Sequence, residues 1–124
     1  MKTTENQQAV IPYLILNDAV SFLDFTIKVF GAEIKSIHYR EDKKTIMHAE
    51  ISISGSMIMF AQATEEYQAQ TAGLFIYVKD ADTTFECALK NEAKVIMNLE
   101  DKEYGRSGGI QDQSGNTWWI PSLL

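Results

Sequence analysis

Cysteine is almost missing: Cys87 is the single one in 124 residues. One thiol can neither close an internal disulfide nor build a thiolate metal cage. Cys87 sits in a helical pattern with no cluster of cations beside it, so it reads as packing rather than as a reactive group. Positive charge is also scarce. Eleven Lys and Arg face seventeen Asp and Glu, a net charge of −6. Nucleic acid and anionic membrane surfaces are therefore not expected as partners, because phosphate binding needs clustered basic residues. No apolar run approaches the roughly 20 residues that cross a bilayer. The polar start MKTTENQQA has no apolar signal core, so a cytoplasmic location is expected. What is present is ordinary: 45% hydrophobic and 23% charged residues, enough for one domain with a real core and too apolar for bulk disorder.

Residues 1–9 read as a flexible tail, and 10–124 as one domain. VIPYLIL over 10–16 is an apolar, β-prone run with Pro12 near its start, where a strand tolerates it. Asn17 and Asp18 offer a helix cap. Phe22, Leu23, Phe25, Thr26, Val29 and Phe30 then recur at helical spacing until Gly31 stops the helix. A strand is predicted over 34–39. Residues 45–53 and 56–61 alternate with period two across Ser54-Gly55, the pattern of a two-residue hairpin. The polar stretch 62–72 reads as a connection. A strand at 74–78, a cap at Asp80, a helix marked by Phe85, Ala88 and Leu89, a strand at 95–98 and a hairpin from 105–111 to 117–120 across Ser114-Gly115 follow.

The order of elements repeats. An offset of 62 aligns Asp18 with Asp80, Ala19 with Ala81, Leu23 with Phe85, Ile27 with Leu89 and Lys28 with Lys90. An offset of 60 aligns the two Ser-Gly turns and sets Met59 opposite Trp119. Each half reads strand, helix, and three strands, with modules at about 10–62 and 73–121.

PYLILNDAVSFLDFTIKVFGAE, HAEISISGSMIMFA and YGRSGGIQDQSGNTWWI resemble the opening strand and helix, the first hairpin and the closing segment of the glyoxalase / bleomycin-resistance / dioxygenase (vicinal oxygen chelate) superfamily. The resemblance implies an α+β fold of two βαβββ modules forming an open, barrel-like mixed sheet with helices on the outer face. It also implies a homodimer, and in some members a ligand trough built from two chains. Enzymes of this family hold a divalent metal in the trough as a Lewis acid. Carried onto this chain, the four ligand positions are Ile11, Met59, Gly73 and Trp119. None is a hard oxygen, imidazole or thiolate donor. No metal and no cofactor are therefore expected.

Alternation along the strands gives the expected lining. If position 11 faces the trough, so do Tyr13 and Ile15, and Met57 joins Met59. The Ser54-Gly55 turn pairs Ile53 with Ser56, Ser52 with Met57 and Glu50 with Met59, so His48 and Glu50 share that face. Met47, Ala49 and Ile51 point under the helices. By the same rule Phe75, Tyr77, Ile110 and Trp119 face the trough and Trp118 packs behind. Tyr104 and Arg106 precede the closing hairpin, where they could cover the mouth or form a plain exposed loop. The Gly-rich run 105–109 lacks the spacing of a phosphate loop.

The predicted binding residues are thus Tyr13, His48, Glu50, Met57, Met59, Phe75, Tyr77, Tyr104, Arg106 and Trp119. They describe a metal-free site for a small aromatic or amphipathic molecule, in the manner of the bleomycin-resistance branch. The alternative is a lyase, isomerase or dioxygenase of the same family whose site is shifted onto His48 and Glu50 as an acid/base or metal pair. A third reading, an interaction protein, closes the trough with its own side chains.

Overall fold

A computed structural model describes residues 8–122. Most of the expected tail, residues 1–7, lies outside the described residues. Gln8 lies within them and clamps β4: its side-chain amide donates to the carbonyl of Met57 (3.2 Å) and accepts from the Met57 amide (2.8 Å).

The first half runs β1 (Tyr13–Leu16), α1 (Ala19–Phe30), β2 (Glu33–Tyr39), β3 (Ile46–Ile53) and β4 (Ser56–Gln62). The second runs β5 (Gly73–Phe75), α2 (Ala81–Lys90), β6 (Lys94–Lys102), β7 (Gly105–Gln111) and β8 (Thr117–Pro121). Each half is the expected βαβββ module, and each forms a four-stranded mixed sheet, in the orders β1-β4-β3-β2 and β5-β8-β7-β6. The registers carry the repeat. Tyr13 pairs with Met59, and the residues 62 and 60 positions on, Phe75 and Trp119, pair with each other. The two sheets remain separate and do not close into a barrel.

Local chemistry explains the elements. Asp18 caps α1 by accepting from the Ser21 amide at 3.0 Å. Gly31 ends it in the left-handed region (φ 67°), where a side chain would be strained. Asp80 caps α2 through the Asp82 amide and the Thr83 hydroxyl. The first hairpin turns on Ser54 (φ 50°) and Gly55 (φ 87°), the two positive φ values that a twisted two-residue loop requires. Its register sets Ile53 against Ser56, Ser52 against Met57 and Glu50 against Met59, as the alternation predicts. Beyond β5 the ladder continues through Ile76 and Val78, whose amides donate to Trp119 and Pro121.

One core serves both modules. Leu14, Leu16, Ile51, Phe60, Phe22, Phe85, Ile110, Trp118 and Ile120 all belong to it. Trp118 of the second module lies 4.5 Å from Phe30 and 6.2 Å from Phe22, ring centre to ring centre, both on α1 of the first. Its indole N–H donates to Asp112 at 2.8 Å. Asp112 is itself buried and accepts from Asn116, backbone and side chain, and from the Ser114 amide. The Asn116 side chain accepts in turn from the Ala72 amide at the end of the inter-module connection.

Two strand faces differ from the alternation. Met47 was expected under the helices, but His38 pairs with His48 and Tyr39 with Ile46, which leaves Met47 as an extra residue in a bulge. Ile46 takes the buried place and Met47 is turned out, half-exposed. Ile110 was expected in the trough and is wholly buried behind it, opposite Trp118. The cause is the second hairpin loop. Its five residues, 112–116, close through the Asp112 amide on the Asn116 carbonyl rather than through a two-residue Ser-Gly turn, and the register moves by one. Gly109 therefore faces Trp119. A Cβ on Gly109 would stand 2.6 Å from the Trp119 ring, so the indole lies down over that glycine.

Replacing Asp112 by Ala strands the buried Trp118 N–H and Asn116 amide, and should cost about 3 kcal/mol in urea denaturation. An unchanged midpoint would show that the network is incidental. Gly109→Ala should cost about 1–3 kcal/mol by overpacking. It should also expose Trp119 to iodide quenching, a readout that stays flat if the indole does not rest on Gly109.

Candidate functional site

Because each sheet buries one face on the helices, its other face is left to carry the site. On the first sheet that face presents Tyr13, Ile15, His48, Glu50, Met57 and Met59, the residues that alternation places there. Tyr13 is 48% exposed, and its hydroxyl lies 3.3 Å from His48 Nδ1. His38 sits directly across the strand from His48, with stacked rings 6.4 Å apart. Glu50 lies two residues along, between Ser36 and Met59. Among the described residues the side-chain hydrogen-bond partner of His48 is Tyr13 rather than Glu50.

On the second sheet the open face presents Phe75, Tyr77 and Trp119. Phe75 and Tyr77 are 53% and 56% exposed and meet edge to face at 5.4 Å. Tyr104, on the β6–β7 turn, joins them 6.1 Å from Phe75. Arg106 goes elsewhere. Its guanidinium is held by Asp82 at the start of α2 (2.6 Å) and by Asp101 (3.2 Å), on the helix side of the sheet. Those two carboxylates raise its already high pKa. It is a tie between helix and strand, and the Gly-rich run around it is β7 itself rather than a loop.

The expected lining is therefore divided. Met57, Phe75 and Tyr77 share a cavity of about 380 Å³ at the junction of β4 and β5. Tyr13 and Ile15 line a different one, of about 340 Å³, with Arg40, Met47 and Tyr67. Ser107, by alternation on the Gly109 and Trp119 face, is 1% exposed, and its hydroxyl has no hydrogen-bond partner among the described residues. Tyr67, Arg40, Met47 and Ser107 escaped the sequence reading. Tyr67 lay in a polar segment without period, Arg40 in a turn, and Met47 and Ser107 depend on register. An aromatic isolated in a polar connection was the one available signal.

The residues present do not fit the family's divalent metal. Isoleucine, methionine, glycine and tryptophan at positions 11, 59, 73 and 119 offer one thioether among them and no hard donor. Among the described residues no three His, Cys, Asp or Glu side chains converge as a ligand set. Cys87 is half-buried on α2, its thiol 3.5 Å from the Lys28 carbonyl, away from both open faces. Among the described residues no helix is long and apolar enough to cross a membrane.

Comparison with known proteins agrees with this architecture. An uncharacterized protein of Mycobacterium tuberculosis (strain ATCC 25618 / H37Rv) is 28% identical, over 90% of this chain and 72% of that protein. Two solved structures share the fold. TioX from Micromonospora sp. ML1 has a TM-score of 0.73 at 22% identity, covering 94% of this chain and 97% of that one. TnmS3, an antibiotic binding protein from Streptomyces sp. CB03234, has a TM-score of 0.69 at 13% identity, covering 95% and 100%. The model of the Glyoxalase/Bleomycin resistance protein/Dioxygenase superfamily matches residues 9–120, and the chain belongs to that superfamily.

Proposed function

We propose that this protein binds a small planar or amphipathic molecule without metal, as the bleomycin-resistance branch of its family does. The observation that carries this reading is Trp119. Laid over Gly109 and paired with Phe75, it offers a flat indole face at a position where a metal ligand would otherwise stand. Stacking on such a face suits an aromatic ligand. Met57 and Met59 supply apolar contact that adapts to shape. The Tyr13–His48 pair and Glu50 supply the few polar groups that set orientation. TnmS3, which shares the fold, is described as antibiotic binding, and the same class of ligand suits the aromatic faces here.

The trough is built, in this reading, by a homodimer. Two open faces with aromatic side chains about half exposed are costly to leave in water, and a second copy covers both at once. The first sheet of one copy would then face the second sheet of the other.

Three results are expected of the purified protein. It carries no stoichiometric divalent metal, and a chelator leaves its melting temperature unchanged. Among planar aromatic compounds, some raise that temperature. Trp119→Ala abolishes this rise while leaving the protein folded. Tightly held metal at one equivalent per chain, or ligand binding indifferent to Trp119, would sink the proposal.

A further inference from the structure

One end of the first sheet's open face carries a feature that the aromatic lining does not need. The inter-module connection does not drift past this end. It pairs with the outer edge of β1, the Ile15 amide donating to the Gln70 carbonyl (3.1 Å) and the Gln70 amide to the Ile15 carbonyl (2.8 Å). Just before this, a turn closed by the Thr64 amide on the Tyr67 carbonyl, and by the Tyr67 amide on the Thr64 hydroxyl, holds up Tyr67. Tyr67 then overlooks a cavity whose floor is Tyr13, Ile15 and Ala61. The far wall is Met47, which reaches it only because of the bulge in β3. A bulge that re-aims one side chain toward a cavity is a recurrent feature beside binding sites.

Gln62, Thr64 and Arg40 complete the lining, and Arg40 is its one charged residue. The turn it opens, residues 40–45, holds three cations (Arg40, Lys43, Lys44) against two carboxylates (Glu41, Asp42), a local excess of +1 on a chain of net −6. Asp42 accepts from the Thr45 hydroxyl and amide and from the Lys44 amide, and these bonds, with a smaller attraction from the Arg40 charge, hold its carboxyl down at about 2. Among the described residues no ion pair engages the Arg40 guanidinium. A planar fork of donors beside two tyrosines and a methionine suits one ligand chemistry: a carboxylate or sulfonate on an apolar, aromatic body.

We propose that this cavity is an anion-recognising subsite, in which Arg40 takes the acidic group of an amphipathic organic anion while Tyr13, Met47 and Tyr67 hold its apolar body. It deepens the small-molecule reading above and rests on it, because the ligand body continues along the same sheet face. Unlike the two-chain trough, it is complete within one chain. Its volume of about 340 Å³ accommodates a two-ring compound.

Two fluorescent probes of similar shape and different charge test it: anionic 1-anilinonaphthalene-8-sulfonate and neutral N-phenyl-1-naphthylamine. The anion should bind the full-length protein more tightly, with affinity falling as salt rises. Arg40→Gln should weaken the anion about tenfold and leave the neutral probe unchanged, as loss of one charge-assisted contact requires. Tyr67→Ala should weaken both. Lys94→Gln, on the outer edge strand of the second sheet, removes one charge far from the cavity and should leave this discrimination between probes intact. Equal affinities for the two probes, or an Arg40→Gln protein that still prefers the anion, overturns the subsite. So does anion binding lost with Trp119→Ala but kept with Arg40→Gln, a result that would leave the aromatic trough standing. Failure of the folded protein to bind either probe likewise overturns the subsite, and leaves the trough to be judged by its own Trp119-dependent ligands.

Discussion

The indole of Trp118 is gripped from three sides, and the placement of the site follows from that grip. Asp112 holds its N–H, while Phe22 and Phe30 of the first module pack against its ring. A strand residue so fixed leaves its neighbours no choice of face. Trp119 must turn to the opposite side, where Gly109 gives it room to lie flat. The same contact joins the two modules, since Trp118 comes from one and its aromatic partners from the other. A buried hydrogen bond at a hairpin thus sets both the union of the modules and the face to which Trp119 turns.

The two sheets meet this constraint in parallel. Each lays one face on the shared core and keeps the other clear, and the Tyr13–Met59 and Phe75–Trp119 pairs occupy equivalent places in the two ladders. Where metal enzymes of the family present hard ligands, this chain presents apolar and aromatic surface. On the reading proposed above, such a surface works by stacking, burial and orientation of a ligand. The polar groups lie at the margins of that surface: the Tyr13–His48 pair, the buried Ser107 hydroxyl and, at the far end, Arg40.

Most of the architecture was legible because its signals are local. The caps at Asp18 and Asp80, the Gly31 stop, the Ser54-Gly55 turn and the period-two runs each act over a few residues, and the repeat multiplied their weight. What was not legible depended on register. The five-residue loop that Asp112 closes cannot be told from a two-residue Ser-Gly turn by composition, and a slip of one residue moved Ile110 into the core. The bulge at Met47 is likewise invisible in an alternating run, as are the two irregularities in β6, between Val95 and Met97 and between Met97 and Glu100. Of the expected site, Tyr13, Met57, Met59, Phe75, Tyr77 and Trp119 lie on open sheet faces. Arg106 is spent on Asp82 and Asp101, because ion pairing across elements leaves no trace in local sequence.

The proposed aromatic trough requires the first sheet of one chain and the second sheet of its partner. Mixing Tyr13→Ala protein with Trp119→Ala protein, after dissociation and reassociation, tests it directly by ligand titration. Each variant alone should bind weakly. If troughs span two chains, random pairing should restore about a quarter of the sites to full affinity, since each mixed dimer holds one trough free of both changes. A mixture that binds no better than the sum of its two components would contradict the account.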